Sequence, residues 1–185
     1  MTDPLFRSVD HALAFAFRHP QGDLKRPAMN TFADGPKRAG RGLAGLDGAG
    51  QAGMILAALR SLGQLSFALG AARHLPKAIP CQCGRSCCTG WQENPTWRDA
   101  INEITAYASD AIPHRRVMLA VRKAVVMRHF GEKVSFAVIA KRCHVDRDTA
   151  SAHAKVVIDF IREKDRLMRS DLYERLSGND MLIAA

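Results

Sequence analysis

The sequence predicts a mainly α-helical protein with a small cysteine-rich insertion, a zinc knuckle, and a C-terminal helix-turn-helix. Apolar residues recur at three- and four-residue steps over much of the chain, and no convincing alternation typical of a strand is present. Four of the five cysteines lie in CQCGRSCC, at 81–88. We divide the chain into an N-terminal helix with a flexible segment rich in glycine and basic residues (1–53), a helical region with the knuckle (54–110) and the helix-turn-helix domain (111–185).

The charge balance favours a polyanionic partner. The chain carries 27 Lys and Arg against 18 Asp and Glu, a formal net charge of +9, and basic side chains beside phosphates release condensed counterions. Charge alone does not separate nucleic acid from an anionic membrane surface. However, the most apolar stretch, 54–69, is too polar to span a bilayer, and no signal peptide is evident. We therefore expect a soluble cytoplasmic protein with no membrane partner.

The first half of the chain predicts two helices separated by an irregular segment. Apolar residues at helical spacing indicate one helix over 3–18 and another over 54–73, the second being a candidate surface for homo-oligomer assembly. Glycine, alanine and basic residues dominate 22–53, which predicts a mobile or irregular segment. It contains GRGLAG, formally GxGxxG, but no strand precedes it, so we do not expect a dinucleotide site.

The cysteine cluster predicts a structural zinc site. In a reducing compartment such crowding is more typical of metal ligation than of disulfides, and structural zinc takes four thiolate or imidazole ligands. The candidate ligands are Cys81, Cys83, Cys87 and Cys88. Their spacing, C-x-C-x3-C-C, differs from the usual pair of C-x2-C units, so His74 or His114 in place of one of the adjacent cysteines stays open. Unligated cysteines and a redox or iron–sulfur role stay open as well.

Two further helices are expected between the cysteine cluster and the C-terminal motif. Asn94 and Pro95 predict the start of a helix over 95–108. Trp91 and Trp97 flank the cluster, and we expect them to form the small hydrophobic core of the knuckle. A second helix is predicted over 113–130, with Gly131 as its C-terminal cap.

Residues 136–162 predict two helices joined by a tight turn. Ser135 is expected to cap a short helix over 136–143, and Asp146 a longer one over 147–168, with 144–146 as the turn. Apolar residues form the inward face of the second helix: Ala150, Ala154, Val157, Ile158 and Ile161, beside Thr149 and His153. Its outward face at the N-terminal end is Arg147, Asp148, Ser151, Ala152 and Lys155, the part that enters a major groove in such motifs.

This stretch resembles the helix-turn-helix of sigma-factor region four and of LuxR-type DNA-binding domains. The matching residues lie in IAKRCHVDRDTASAH at 139–153, against the pattern Ile-Ala-x-x-Leu-x-(Ile/Val)-(Ser/Thr)-x-x-Thr-(Val/Ala)-x-x-His. His144 stands where such turns usually have glycine. The resemblance implies double-stranded DNA as the partner. The implied contacts to bases or nearby phosphates are Arg142, Arg147, Asp148, Ser151 and Lys155.

Each of these residues also has a structural interpretation. Arg147 and Lys155 are alternatively solvated helix charges. Asp148 either accepts a hydrogen bond from cytosine N4 or is simply favoured at a helix N-terminus. We expect His153 to be packed and hydrogen-bonded rather than a ligand, and Cys143 to lie in the core.

With its cysteine cluster and basic motif, the chain resembles in architecture the Q-type late-gene antiterminators of lambdoid bacteriophages, most strongly over 115–169. The resemblance implies a sequence-specific transcription regulator that acts with RNA polymerase in a bacterial host cell. A stand-alone repressor or activator fits the same features. The alternative is a DNA-handling module such as a small terminase subunit or a plasmid partition protein. No arrangement of acid, base and nucleophile stands out, so we do not expect an enzyme.

Overall fold

The computed structural model describes residues 6–18, 46–81, 83, 85, 89–112, 118–179 and 181–182, and these are mainly helical, as predicted. The helices are α1 (Val9–Arg18), α2 (Leu46–Ser61), α3 (Gln64–His74), α4 (Pro95–Ala111), α5 (Leu119–His129), α6 (Phe136–Cys143) and α7 (Arg147–Ser177). Two short strands, β1 (Ala78–Pro80) and β2 (Trp91–Glu93), pair antiparallel. Within the described ranges, each helix is too short or too polar to cross a membrane.

The chain forms two compact units. One comprises residues 1–61 and 172–185, and the other comprises residues 62–171. Helix α7 is continuous, and its last residues, from 172 onward, belong to the first unit. The candidate interface lies in the second unit.

The first unit joins the two ends of the chain. The core of this unit consists of apolar residues from α1, α2 and the C-terminal segment: Ala12, Leu13, Ala16, Ile55, Leu56, Leu59, Leu172, Leu176, Met181 and Leu182. Phe6 donates its backbone N–H to Met181 O at 3.0 Å and forms a parallel bridge with Leu182. Arg175 Nη1 donates to Ser61 Oγ at 2.9 Å. These contacts place residues 172–182 beside the N-terminal helices.

The helices of the first half differ from the sequence prediction in three ways. Helix α1 begins at Val9 rather than at residue 3. Helix α2 begins at Leu46, so residues 46–53 are helical and not irregular; residues 22–45 lie outside the described part of the chain. The single helix predicted over 54–73 is two helices, because Gly63 between them has φ 106°, a left-handed conformation that interrupts an α-helix.

The second unit is organised around Trp97 at the start of α4. The Asn94 side chain caps α4 by accepting from Thr96 N at 3.1 Å, which confirms the predicted start at Pro95. Trp97 is 3% exposed and donates from Nε1 to Ala72 O at 3.1 Å, tying α4 to α3. Helix α4 continues to Ala111, three residues past the predicted end.

A β-hairpin precedes α4, where no strand was expected. Its strands have three residues each, too short for an alternating pattern to be read from the sequence. Cys81 donates its N–H to Gly90 O at 2.8 Å, which closes the base of the cysteine-rich segment. Trp91 was expected in a small core with Trp97, but it lies on β2 and is 62% exposed. The expectation was wrong for Trp91 because the strand that carries it is exposed throughout.

Candidate nucleic-acid interface

The end of α5 determines how the chain enters the candidate interface, which begins with α6. Helix α5 begins at Leu119, later than predicted, while residues 113–117 lie outside the described part. Gly131 has φ 95° and donates its N–H to Arg128 O at 3.1 Å, and Glu132 N–H donates to Met127 O at 3.0 Å. These two bonds form the Schellman arrangement that satisfies the last carbonyls of a helix. The predicted cap at Gly131 is therefore confirmed, and it turns the chain toward α6.

Helix α6 has the bounds that the sequence predicted. Ser135 Oγ accepts from Val138 N at 3.3 Å, the expected N-terminal cap. Ile139, Ala140 and Cys143 are buried, which confirms Cys143 as a core residue. Arg128 holds the preceding loop, because its Nη1 donates to Val134 O at 2.7 Å and its guanidinium lies 4.1 Å from the centre of the Phe136 ring.

The turn between α6 and α7 is built on a left-handed histidine. His144 has φ 53° and ψ 45°, and its N–H donates to Ala140 O. The N–H of Val145 donates to the same carbonyl at 3.0 Å. A residue with a Cβ costs roughly 1–2 kcal/mol in this conformation. The turn thus forms with histidine at the position where glycine is usual, at the expense of local strain.

The buried side of α7 follows the predicted pattern. Ala150, Ala154, Val157 and Ile161 are fully buried, and Thr149, His153 and Ile158 are half-buried. Ala150 donates its N–H to Asp146 O at 2.9 Å at the first turn. The hydrogen bond expected for His153 is not seen at Nδ1, which is buried without a partner among the described residues.

The outward side of α7 contains the candidate DNA contacts. Arg147, Asp148, Ser151, Ala152 and Lys155 are all exposed, as the sequence predicted. Within the described chain, neither Arg147 nor Lys155 lies in an ion pair, and the same holds for exposed Lys141 on α6. These cations are therefore available to an external anion.

The later turns of α7 have a different electrostatic character. Three of their arginines pair with acids of the same helix: Arg162 with Asp159 at 4.0 Å, Arg166 with Glu163 at 2.8 Å, and Arg169 with Asp165 at 2.9 Å. The hydrogen bond from Arg166 lowers the pKa of the Glu163 carboxyl, and Glu163 raises that of Arg166. The first part of the helix thus exposes two unpaired cations, whereas three arginines of the second part are each matched by an acid of the same helix.

Arg142, the candidate contact on α6, is balanced by a nearby acid. Its Nη1 lies 3.9 Å from Glu132 Oε1, and its side chain is 66% exposed. The sequence alone did not point to Glu132, because it lies ten residues before Arg142 and outside α6, the helix that carries Arg142. The pair reduces the positive potential beside the turn, since opposite charges at this distance partly cancel.

Two groups on α5 have shifted pKa values. Arg122 on α5 is 2% exposed, and burial lowers the pKa of its guanidinium while Asp110 opposes the shift. Arg122 therefore contributes no surface charge, although the sequence counts it among the basic residues. Burial lowers the pKa of the His129 imidazole, and repulsion from Arg73 and Arg162 lowers it further, while Asp165 opposes them.

The cysteine segment is described only in part. Cys81 is half-buried and Cys83 is exposed, whereas Cys87, Cys88 and His114 lie outside the described residues. Among the residues that are described, no group of three or more His, Cys, Asp or Glu side chains is arranged to hold a metal ion. The zinc site stays a prediction.

Comparison with known proteins gives no relative for this chain. It matches no protein-family model, no curated protein and no solved structure. Function therefore has to be inferred from the residues and their geometry.

Proposed function

We propose that the chain is a sequence-specific double-stranded DNA-binding transcription regulator, whose α6 and α7 act as a helix-turn-helix. The observation that carries the proposal is the division of charge along α7. Arg147 and Lys155 project unpaired from its first three turns, whereas Arg162, Arg166 and Arg169 are paired with acids of the same helix. Unpaired cations on one exposed helix face are the feature that phosphate neutralisation requires.

The shape of this face supports insertion into the major groove. An α-helix with its side chains is about 10–12 Å across and fits a groove about 12 Å wide. Between Arg147 and Lys155 the exposed residues include Ser151 and Ala152, which are small. Small side chains allow the helix backbone to approach the base edges, while the cations at either end reach the phosphates.

The regulatory role rests on the resemblance of the sequence to Q-type antiterminators, which implies action together with RNA polymerase. Retention of RNA polymerase by the tagged full-length protein would support this role. A ring-shaped homo-oligomer that retains an ATPase subunit instead would favour a DNA-packaging or partition module. Both kinds of protein would bind DNA through the same surface. Either result therefore leaves the proposed DNA-binding role of α7 unchanged.

We also propose that Cys81, Cys83, Cys87 and Cys88 hold a structural zinc ion. The hydrogen bond from Cys81 N to Gly90 O brings the two ends of the cysteine segment together, as a compact metal-binding loop requires. Metal analysis of the purified full-length protein should give about one zinc per chain. A metal-free, fully folded sample would contradict the zinc assignment without bearing on the DNA-binding surface.

The DNA-binding proposal is tested by titrating the full-length protein into a labelled duplex of about 30 base pairs, long enough for two half-sites. Affinity should fall steeply between about 50 and 200 mM salt. The double variant Arg147→Ala/Lys155→Ala should bind at least about tenfold more weakly, with a shallower salt dependence.

A matched control removes two charges from the paired part of the same helix. The variant Arg162→Ala/Arg166→Ala changes the net charge equally, but both its arginines lie in ion pairs within α7. It should retain most of the affinity. Equal losses in the two double variants would show that binding depends only on total charge and would overturn the proposed interface.

A further inference from the structure

An apolar strip interrupts the charged outward face of α7. Ala152 is exposed, and Val156, one turn later, is 43% exposed. Asp148 lies one turn before Ala152, and Lys155 lies three residues after it, so polar groups flank the strip. Ala152 is therefore an exposed methyl group at the centre of the surface assigned to DNA.

The charges around the strip restrict what it can face. Asp148 carries negative charge on the same side of the helix, and phosphates repel it. Arg147 and Lys155 are unpaired among the described residues and can reach phosphates. Ala152 therefore faces the base edges rather than the sugar–phosphate backbone when α7 lies in the groove.

The edges of the bases offer few apolar partners. In the major groove every base presents hydrogen-bond donors or acceptors, and thymine alone adds an apolar group, the C5 methyl. Burial of an exposed alanine on binding is favourable only where its methyl group meets another apolar surface. Thymine is the base that supplies one.

We propose that Ala152 reads a thymine through its C5 methyl, and that the preferred DNA site of this protein contains a thymine opposite the second turn of α7. This inference rests on the proposed DNA-binding function and deepens it. Ala152 acts by apolar contact and supplies no hydrogen bond, so it distinguishes thymine from cytosine, and also from uracil, which lacks only the methyl group.

The test compares thymine with uracil in otherwise identical duplexes. Preferred sites are first enriched from a pool of random duplexes with the full-length protein, and each thymine of the enriched site is then replaced singly by deoxyuridine. One replacement should weaken wild-type binding about fourfold, the effect of one buried methyl group. The same replacement should have no effect on Ala152→Gly.

Two control variants accompany this comparison. Ala106→Gly makes the same change at an exposed position of α4 and should keep the full preference for thymine. Val156→Ala trims the neighbouring apolar residue and should keep it as well. Thermal unfolding checks that each variant is folded, and the wild-type comparison of thymine with uracil stands independently of any variant.

The outcomes separate this inference from the function on which it rests. Wild-type binding that is insensitive to uracil at every position would overturn the inference while leaving DNA binding in place. The inference would also be overturned if replacement of thymine by uracil still weakened binding by Ala152→Gly, or if this weakening were lost only in Val156→Ala. If the protein binds no duplex at all, the proposed function fails and the inference fails with it.

Discussion

Arg73, near the C-terminal end of α3, donates from Nη2 to Oδ2 of Asp165 on α7 at 3.0 Å. Arg169 donates from Nε to the same oxygen at 2.9 Å, so one carboxylate joins two arginines. The Asp165 side chain is 13% exposed, which limits screening by solvent. This contact fixes the middle of α7 against α3, and the first turns of α7 project from that anchored part.

Replacing Asp165 with asparagine should destabilise the protein by about 2 kcal/mol, because two arginines lose their charged acceptor. Urea unfolding at neutral pH measures the change. Asp159→Asn is the matched control, since Asp159 forms only an exposed pair with Arg162 at 4.0 Å; it should cost less than about 0.5 kcal/mol. Equal effects in the two variants would contradict the anchoring role of Asp165.

The pH dependence of stability should include a contribution from His129. Its folded-state pKa lies below the ordinary value of 6.5, because burial and the nearby Arg73 and Arg162 disfavour the imidazolium. Protonation therefore favours the unfolded chain. The stabilising contribution of neutral His129 is fully present above its pKa in the unfolded chain. It is lost as the pH falls through its lower pKa in the folded protein.

This contribution can be isolated with His129→Gln, which cannot be protonated. Between about pH 8 and about pH 5 the wild type should lose more stability than the variant, as measured by the midpoint of thermal unfolding. Parallel pH profiles for the two proteins would show that His129 is equally basic in the folded and unfolded states.

The strained turn before α7 offers a stabilising substitution. His144 has φ 53°, and glycine adopts this conformation without strain. His144→Gly should therefore stabilise the protein by about 0.5–1 kcal/mol, the relief of strain minus the extra chain entropy of glycine. Equilibrium unfolding measures it, and a destabilised variant would mean that the histidine side chain makes a contact that outweighs the strain.

Gly131 provides the converse control. It has φ 95°, and an added Cβ would lie at an ordinary contact distance of 3.5 Å from Lys77 Nζ. Gly131→Ala should cost about 1 kcal/mol through backbone strain alone. Opposite changes in the free energy of unfolding for His144→Gly and Gly131→Ala would show that backbone conformation, and not side-chain packing, decides both.

The sequence was most informative where short-range chemistry decides the structure. The caps at Asn94, Ser135 and Gly131 were predicted correctly, since each depends on residues within three or four positions. The outward face at 147–155 followed from helical spacing alone.

Features that depend on distant partners were missed. The burial of Arg122, the pairing of Glu132 with Arg142 and the acceptance of two arginines by Asp165 all depend on tertiary packing. The break at Gly63 had a local signal, but an isolated glycine within a helical pattern is often tolerated and does not by itself predict a left-handed residue.

The ion pair between Glu132 and Arg142 should restrain DNA binding. Glu132→Gln removes a negative charge beside the proposed interface and releases Arg142, so affinity for duplex DNA should rise about twofold to fivefold at low salt. Glu174→Gln, at an exposed position in the other compact unit, is the control for net charge. The gain should disappear in an Arg142→Ala background; a gain that persists there would exclude Arg142 as the group released.

The first turns of α7 make the proposed contacts to DNA, and Arg147→Ala removes one of them. Affinity is measured on the enriched duplex and on random duplex at the same salt concentration. Because Arg147 reaches the phosphates, the variant should bind both duplexes more weakly by a similar factor, and the slope of its salt dependence should fall by about one. Wild-type affinity on both duplexes would contradict the placement of α7 in the groove.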